Sequence, residues 1–428
     1  MRLVEHLDSA LFAADTLLRV ARERIETGIL FNPLRKDLRV DPYPFYAELR
    51  ERDPVHRSYA ASGWVLTRYA DILGVLADRR FSSDERNWKR YARMRARRHR
   101  AGIPDFYDDQ LASMLRIDPP DHTRLRTLVS KAFTPRAVER MRPRIEAVVG
   151  ELLDALQGRR EIELVGDFAS PLPVAIIAEM LGIPVADRAR FRHWSNEAIR
   201  LLGDGSNDNR RRGAKGFAEL AHYLEAEVEA RRHTPRDDLL SGMVAAEEAG
   251  DRLSTQELFS TCLLLLIAGN ETTTNLIGNG ALALLRHPDQ LDLLRREPKR
   301  IPGAVEELLR YDSPVQLTSR LVLEDGELCG RPLRPGEQLV LLLGAGNRDP
   351  ERFPDPDRLD VTREEVQPLS FGHGIHYCLG AQLARLEAQI AFEELLERFP
   401  DLRLGAGPIR WGDNTVLRGP TSLALLVR

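Results

Sequence analysis

Between Phe371 and Gly380 the chain reads Phe-Gly-His-Gly-Ile-His-Tyr-Cys-Leu-Gly, and no other stretch restricts the fold as much. A single cysteine, Cys378, sits in a loop punctuated by Gly372, Gly374 and Gly380. A run with helical spacing follows from Leu379 to Phe399 and is closed by Pro400. The spacing predicts a sulfur at or just before a helix N-terminus, where unpaired backbone N–H groups and the helix dipole favour an anion. Such a setting lowers a thiol pKa and favours the thiolate, the form that ligates metal. The glycines let the backbone turn sharply and approach a flat partner closely.

Two kinds of metal site are compatible with this loop. His373, His376 and Cys378 lie close enough together to suggest zinc. A closed zinc site, however, draws four ligands from paired, well-spaced motifs. No second pair is visible, and Cys262 and Cys329 lie far away without a Cys-x-x-Cys. A lone thiolate on haem iron needs no second pair. The loop matches the signature Phe-Gly-x-Gly-x-His-x-Cys-x-Gly, and by it the chain resembles the cytochrome P-450 family, in particular its soluble bacterial members. The resemblance runs from about Asp41 to the C-terminus; residues 1–40 are less characteristic. It implies a mainly α fold with a small β region, built around a buried haem b. Residues 41–428 would form one catalytic domain and residues 1–40 a helical extension packed on it.

Composition adds limits. With 428 residues, 43% hydrophobic and 30% charged, the chain can bury a large core. A net charge of −3 gives no general drive towards nucleic acid or anionic membrane. Three cysteines do not suggest a disulfide framework, which points to a reducing cytoplasm. Met1 to Ser9 carries Glu5 and Asp8 and lacks the apolar core of a signal peptide. The most apolar run, Leu263 to Ala268, is far shorter than the ~20 residues needed to span a bilayer.

Residues 3–30 read as one or two amphipathic helices, with Leu7, Leu11, Leu17, Leu18 and Ile25 as the face packed on the body. Trp64 to Thr67 reads as a strand and Tyr69 to Ala77 as a helix. Arg86 to Arg100 is dense in Arg and Lys, with Trp88 and Tyr91 interleaved. In a net-acidic protein it reads as a solvated helix or loop face. By resemblance it lies in the loop that caps the substrate pocket, where its cations would attract an acidic substrate or carrier. Pro119 and Pro120 stop the preceding element, and Asp121 can cap the helix that follows. His122 and Arg126, four apart, share a helix face suited to a carboxylate. The resemblance assigns them to a haem propionate. Pro143 to Arg232 reads as successive helices broken at Gly158, Gly182 and Gly203 to Gly205. The part from Phe191 to Phe217 corresponds to the family's mobile lid.

Ser254-Thr255-Gln256-Glu257 is a capping box opening a long helix that runs to about Arg286. At ~1.5 Å per residue it spans roughly 50 Å, enough to cross the molecule. Its middle, Ala268-Gly269-Asn270-Glu271-Thr272-Thr273-Thr274, places an acid, hydroxyls and a glycine in an apolar helix. Such groups are costly to bury without partners or a task. Ala268 and Gly269 leave room for a ligand against the backbone. The stretch resembles the family's oxygen-activation motif, which implies that Thr272 and Glu271 supply protons on the side of the haem opposite the sulfur. Glu307 and Arg310, three apart, match the family's Glu-x-x-Arg pair and carry a structural role, with Ser313-Pro314-Val315 beside them. Leu317 to Arg320 reads as a strand, Leu339 to Leu343 as a buried strand, and Leu402 to Val427 as strands and turns. Asn347 to Pro356 is a turn-rich segment leading to the cysteine loop.

The resemblance thus implies a haem-thiolate monooxygenase that inserts one atom of O2 into a small hydrophobic or amphipathic substrate by hydroxylation or epoxidation. Cys378 is the axial ligand. His122, Arg126, Arg320 and His376 would hold the propionates, and Ala268, Gly269, Phe371, Gly372 and Gly380 would line the haem. Electrons would come from a separate ferredoxin and its reductase, with Lys131 and Arg385 as candidate docking residues. A peroxide-driven peroxygenase of the same fold and a non-catalytic haem-binding protein are the alternatives. Peroxygenases of this kind usually lack the acid–threonine pair that Glu271 and Thr272 provide.

Overall fold

The computed structural model describes residues 18–33, 35–59, 63–100, 114–198, 207–248 and 254–427. Its axis is the helix Thr255–Arg286. Ser254 starts it as the sequence predicts: its Oγ accepts from the Glu257 N–H at 3.2 Å, and its own N–H donates to Glu257 Oε2 at 2.8 Å. His287 ends it by placing Nδ1 2.8 Å from the Ala283 carbonyl, and Pro288 begins the next helix. Most of this central helix is buried, from Leu258 through Leu284. The helices Arg142–Asp154, Pro171–Met180, Ile301–Tyr311 and Ala381–Arg398 share one apolar core with it. Gly280 is the contact point for the last of these. A Cβ there would lie 2.6 Å from Phe392 Cζ, so any larger residue would push the cysteine-loop helix off the axis.

A second, smaller core lies under a five-stranded sheet. Its strand order is Val55–Ser58, Gly63–Leu66, Gln338–Leu341, Thr318–Val322 and Phe81–Ser82. Gly63–Leu66 and Gln338–Leu341 run parallel and the other pairs antiparallel. Trp64, Leu66, Ile72, Leu339 and Leu341 fill the space between sheet and helix Tyr69–Ala77. Among the described residues three smaller sheets, two of them in the C-terminal region, complete a mainly α architecture with a small β part. No helix among the described residues is long and apolar enough to cross a membrane.

Two local expectations need correction. Leu18 and Ile25 do not pack on the body: they are 72% and 83% exposed. The helix over residues 18–27 is held by a polar anchor instead. Glu23 is fully buried and accepts from the Phe31 N–H at 2.8 Å, the Ser58 hydroxyl at 2.9 Å and the Tyr59 N–H at 2.6 Å, with His56 Nε2 at 3.1 Å. Leu7, Leu11 and Leu17 lie outside the described residues. Asp121 does not cap its helix. The helix already begins at Asp121, and its carboxylate pairs with Arg124 one turn on. Within the basic run Tyr91–Arg100 forms a helix with Arg93 and His99 exposed, the solvated helix face that the sequence allows. Gly203 and Gly205 lie outside the described residues.

Candidate functional site

The cysteine loop is built from two short 3-10 turns, Leu369–Phe371 and Gly374–His376. The Cys378 N–H closes it by donating to the Phe371 carbonyl at 2.9 Å. Gly374 has φ +69°, and a Cβ on it would lie 2.4 Å from the Leu76 carbonyl oxygen, so only glycine fits. Helix Ala381–Arg398 starts three residues after the sulfur, as the sequence predicts.

Cys378 is exposed although its loop is packed between the sheet core and the helical core. On the central helix Ala268 is likewise exposed, while Leu265, Leu266 and Ile267 just before it are buried. Accessible small residues on two otherwise packed segments are consistent with a cleft between them. At its floor burial raises the Cys378 thiol pKa, against the Gly380 N–H, Arg126 and Arg385, which lower it. The sequence predicts a lowered value. The Gly380 N–H at the helix start and the two arginines pull it down, but desolvation outweighs them.

Beside the sulfur four cationic or donor side chains converge. The His122 and His376 rings lie 4.3 Å apart. His122 is 2% exposed, and among the described residues neither of its ring nitrogens has a hydrogen-bond partner; His376 Nε2 is likewise buried and unpartnered there. Arg126 donates to the Tyr377 carbonyl at 2.6 Å, and Arg320 to the Ser319 carbonyl at 2.8 Å. The shifts report one crowded site. Burial, then Arg320, His122 and Arg126, pushes His376 down to about 3. Burial, then Arg126, lowers His122, and burial takes Arg320 down to about 10 against the pull of Asp118. Buried donors that depress one another's charge suit anions lodged among them. Two carboxylates there would satisfy the orphaned nitrogens and reverse each shift. This donor set therefore fits the propionates of a haem held beside the cysteine loop.

On the other wall the central helix presents its polar turn. Thr272 Oγ1 donates to the Ala268 carbonyl one turn back, at 2.7 Å, leaving its lone pairs to accept. Burial, then the charge of Asp413, raises Glu271 to about 7, and its Oε2 is buried without a partner among the described residues. Gly269 faces away from the cleft: a Cβ there would meet Ile177 Cγ1 at 3.2 Å.

These features coincide with what sequence and structure comparison finds. A sequence profile described as Cytochrome P-450 matches residues 206–403. The chain is 47% identical over 388 residues to cytochrome P-450 107B1 of Saccharopolyspora erythraea, covering 89% of this chain and 93% of that one. It is 42% identical over 387 residues to 6-deoxyerythronolide B hydroxylase of the same organism, covering 89% and 94%. The solved structure of the bacillaene polyketide synthase cytochrome P-450 PksS of Bacillus subtilis superposes with a TM-score of 0.84 at 40% identity, covering 93% of this chain and all of that one. The chain belongs to the cytochrome P-450 family. Its cofactor is haem, and it is a monooxygenase of small organic molecules.

Within this P-450 fold, Glu307 and Arg310 are both fully buried. Arg310 forks onto Glu307 through Nε at 2.7 Å and Nη2 at 2.8 Å. Its remaining N–H groups reach the carbonyls of Asn347, Pro356 and Arg358 at 3.0, 2.7 and 3.0 Å. One guanidinium thus pins the turn-rich segment to helix Ile301–Tyr311. Asn347 continues the chain of contacts, with Nδ2 2.6 Å from Ser313 Oγ and Oδ1 accepting from the Leu369 N–H at 2.7 Å, where the cysteine loop begins.

Arg385 is not a loose surface cation. It bridges Glu306 and the Tyr377 hydroxyl and lies 4.5 Å from the Phe371 ring, bracing the loop from below. Lys131 is exposed. Among the described residues no group of His, Cys, Asp and Glu side chains is arranged to hold a metal ion, so the zinc reading has no ligand set there. Sequence reasoning missed Asn270, which is 3% exposed and donates from Nδ2 to Asn196 Oδ1 at 2.9 Å. The partners are 74 positions apart, and only the packing of their helices brings them together.

Proposed function

We propose that Cys378 ligates the haem iron, that His122, Arg126, Arg320 and His376 hold its propionates, and that the substrate is a bulky lipophilic molecule of the polyketide type. The observation that carries the haem placement is the pair of adjacent histidines with orphaned buried nitrogens beside the cysteine loop. The substrate class rests on the similarity to 6-deoxyerythronolide B hydroxylase and to PksS. Residues 41–428 act as one catalytic domain.

Haem supplies the oxygen chemistry: one atom of O2 enters a C–H or C=C bond, and the other leaves as water with two protons and two electrons. The protein supplies the rest. Glu271, with a pKa near the working pH, takes a proton from solvent and releases it into the cleft. Thr272, its own proton committed to Ala268 O, accepts at Oγ1 and orients what arrives. Ala268 leaves the helix surface open at that level, whereas Gly269 packs against Ile177 behind it. The electrons come from a ferredoxin and its reductase, which approach the face carrying Lys131. We place this reaction in the cytoplasm.

The test is spectroscopic. Haem-loaded protein should give a thiolate-type ferrous–CO spectrum, and Cys378→Ala should lose it. A spectrum retained in that variant overturns the ligand assignment. Titration with a panel of macrolactones, fatty acids and sterols should move the haem from low to high spin with the macrolactones. A shift confined to the other two classes overturns the substrate class and leaves the haem site standing.

A further inference from the structure

The central helix holds its reactive turn from two opposite sides. Ala268 and Thr272 lie one turn apart on the cleft side, whereas Asn270 and Thr274, two residues on, face nearly the opposite way. On that rear face Asn270 Nδ2 donates to Asn196 Oδ1 at 2.9 Å. Thr274 Oγ1 lies 3.5 Å from Asn270 Oδ1 and donates to the Ala169 carbonyl at 3.2 Å. Asn196 belongs to helix Arg188–Ala198, whose Phe191 and Trp194 pack into the main core. Glu197 on the same helix pairs with Arg212 of helix Asn207–His233, so the two contacts tie it to different neighbours.

We infer that Asn270, through Asn196, is a positioning residue that fixes the Glu271–Thr272 turn, so that the placement of helix Arg188–Ala198 is read at the proton-delivering side chains. The inference rests on the role proposed for those two residues. The physical argument has three steps. Thr272 bonds back to the carbonyl of Ala268, an arrangement that weakens and bends a helix locally. A turn so loosened needs support from outside its own ladder. The amide of Asn270 gives that support, and because it is buried, its donor cannot turn to water when the contact breaks. Displacing helix Arg188–Ala198 therefore leaves an unpaired amide one residue from Glu271, and the turn moves to satisfy it. Substrate that shifts this helix is thereby coupled to proton delivery.

The experiment uses the haem-loaded full chain and three variants. Asn196→Ala removes the acceptor. Asn196→Asp keeps an acceptor at an exposed position. Arg212→Ala removes an ion pair made by an exposed arginine to the same helix, a contact worth little to its placement, without touching Asn196 or Asn270. Hydrogen exchange is followed at the amides of residues 268–274, and peroxide released per NADPH is measured with a surrogate ferredoxin and reductase. Asn196→Ala should speed exchange by about tenfold and raise peroxide severalfold, as expected for loss of one buried hydrogen bond. Asn196→Asp and Arg212→Ala should match the parent protein in both. An Asn196→Ala variant that behaves as the parent overturns the inference. So does failure of Asn196→Asp to restore the parent values, or an equal effect from Arg212→Ala. If Asn196→Ala does not accumulate as haem-loaded protein, Asn196→Ser, which shortens the reach to Asn270, takes its place under the same criteria. A parent protein without a thiolate-type CO spectrum would instead reject the haem assignment itself.

Discussion

Burial sets the working range of single residues here. Glu271 titrates at about 7, well above an ordinary carboxyl, because desolvation penalises its charged form. Near neutral pH it is partly protonated and can both give and take a proton. Product formation should fall as pH rises through about 7, when the acid form is lost. Glu271→Gln should lower the rate by about a hundredfold and flatten that pH profile, as measured by product per minute at saturating electron supply. The same carboxyl also bears on stability. Its folded pKa lies above the unfolded value, so its contribution is full at low pH and is lost as pH rises through about 7. The cluster of His122, His376, Arg126 and Arg320 makes the opposite demand, for a permanent anion. Haem whose propionates are esterified should bind at least about tenfold more weakly than haem itself, the loss expected for a charge-assisted hydrogen bond. Retention assayed by Soret absorbance checks this.

At the scale of elements, polar anchors fix what apolar faces do not. The helix over residues 18–27 turns Leu18 and Ile25 to solvent and relies on Glu23. His56 lies between Glu23 and Asp53, at 3.1 and 3.0 Å. Burial lowers the His56 pKa, but hydrogen bonds to Asp53 and Glu23 outweigh it, and the net shift is upward. Stability from this charged contact is complete below the unfolded value of ~6.5 and is lost as pH rises through the higher folded value. A His56→Gln variant should therefore melt below the parent near pH ~6, and the gap should narrow towards pH ~9. Thermal unfolding across that range decides it. A gap that widened with pH would reverse the sign and the assignment.

Across the whole molecule, one buried ion pair links the helical core to the site. Arg310 joins Glu307 to three carbonyls of the turn-rich segment, and Asn347 passes that constraint to the start of the cysteine loop. Arg310→Met removes the cation and leaves Glu307 buried and charged, at a cost of about 3–5 kcal/mol. The variant should lose haem occupancy before it loses helical content, measured by Soret absorbance against far-ultraviolet circular dichroism. Simultaneous loss of both would mean the pair supports the core as a whole and not the loop in particular.

The sequence alone carried the signals that act locally. The capping box at Ser254, the glycines around Cys378 and the start of helix Ala381–Arg398 are written in residue types and spacing, because caps and tight turns depend on neighbours in the chain. Glu307 and Arg310 were legible for the same reason, being three apart on one helix. What the tertiary structure decided is long-range. Desolvation at the cleft floor raised the Cys378 thiol where the helix terminus alone favoured a lower value. Packing brought His122 within reach of His376, joined Glu23 to His56, and set Asn196 against Asn270. Burial and distant partners are properties of the packed helices, and no short window of sequence contains them.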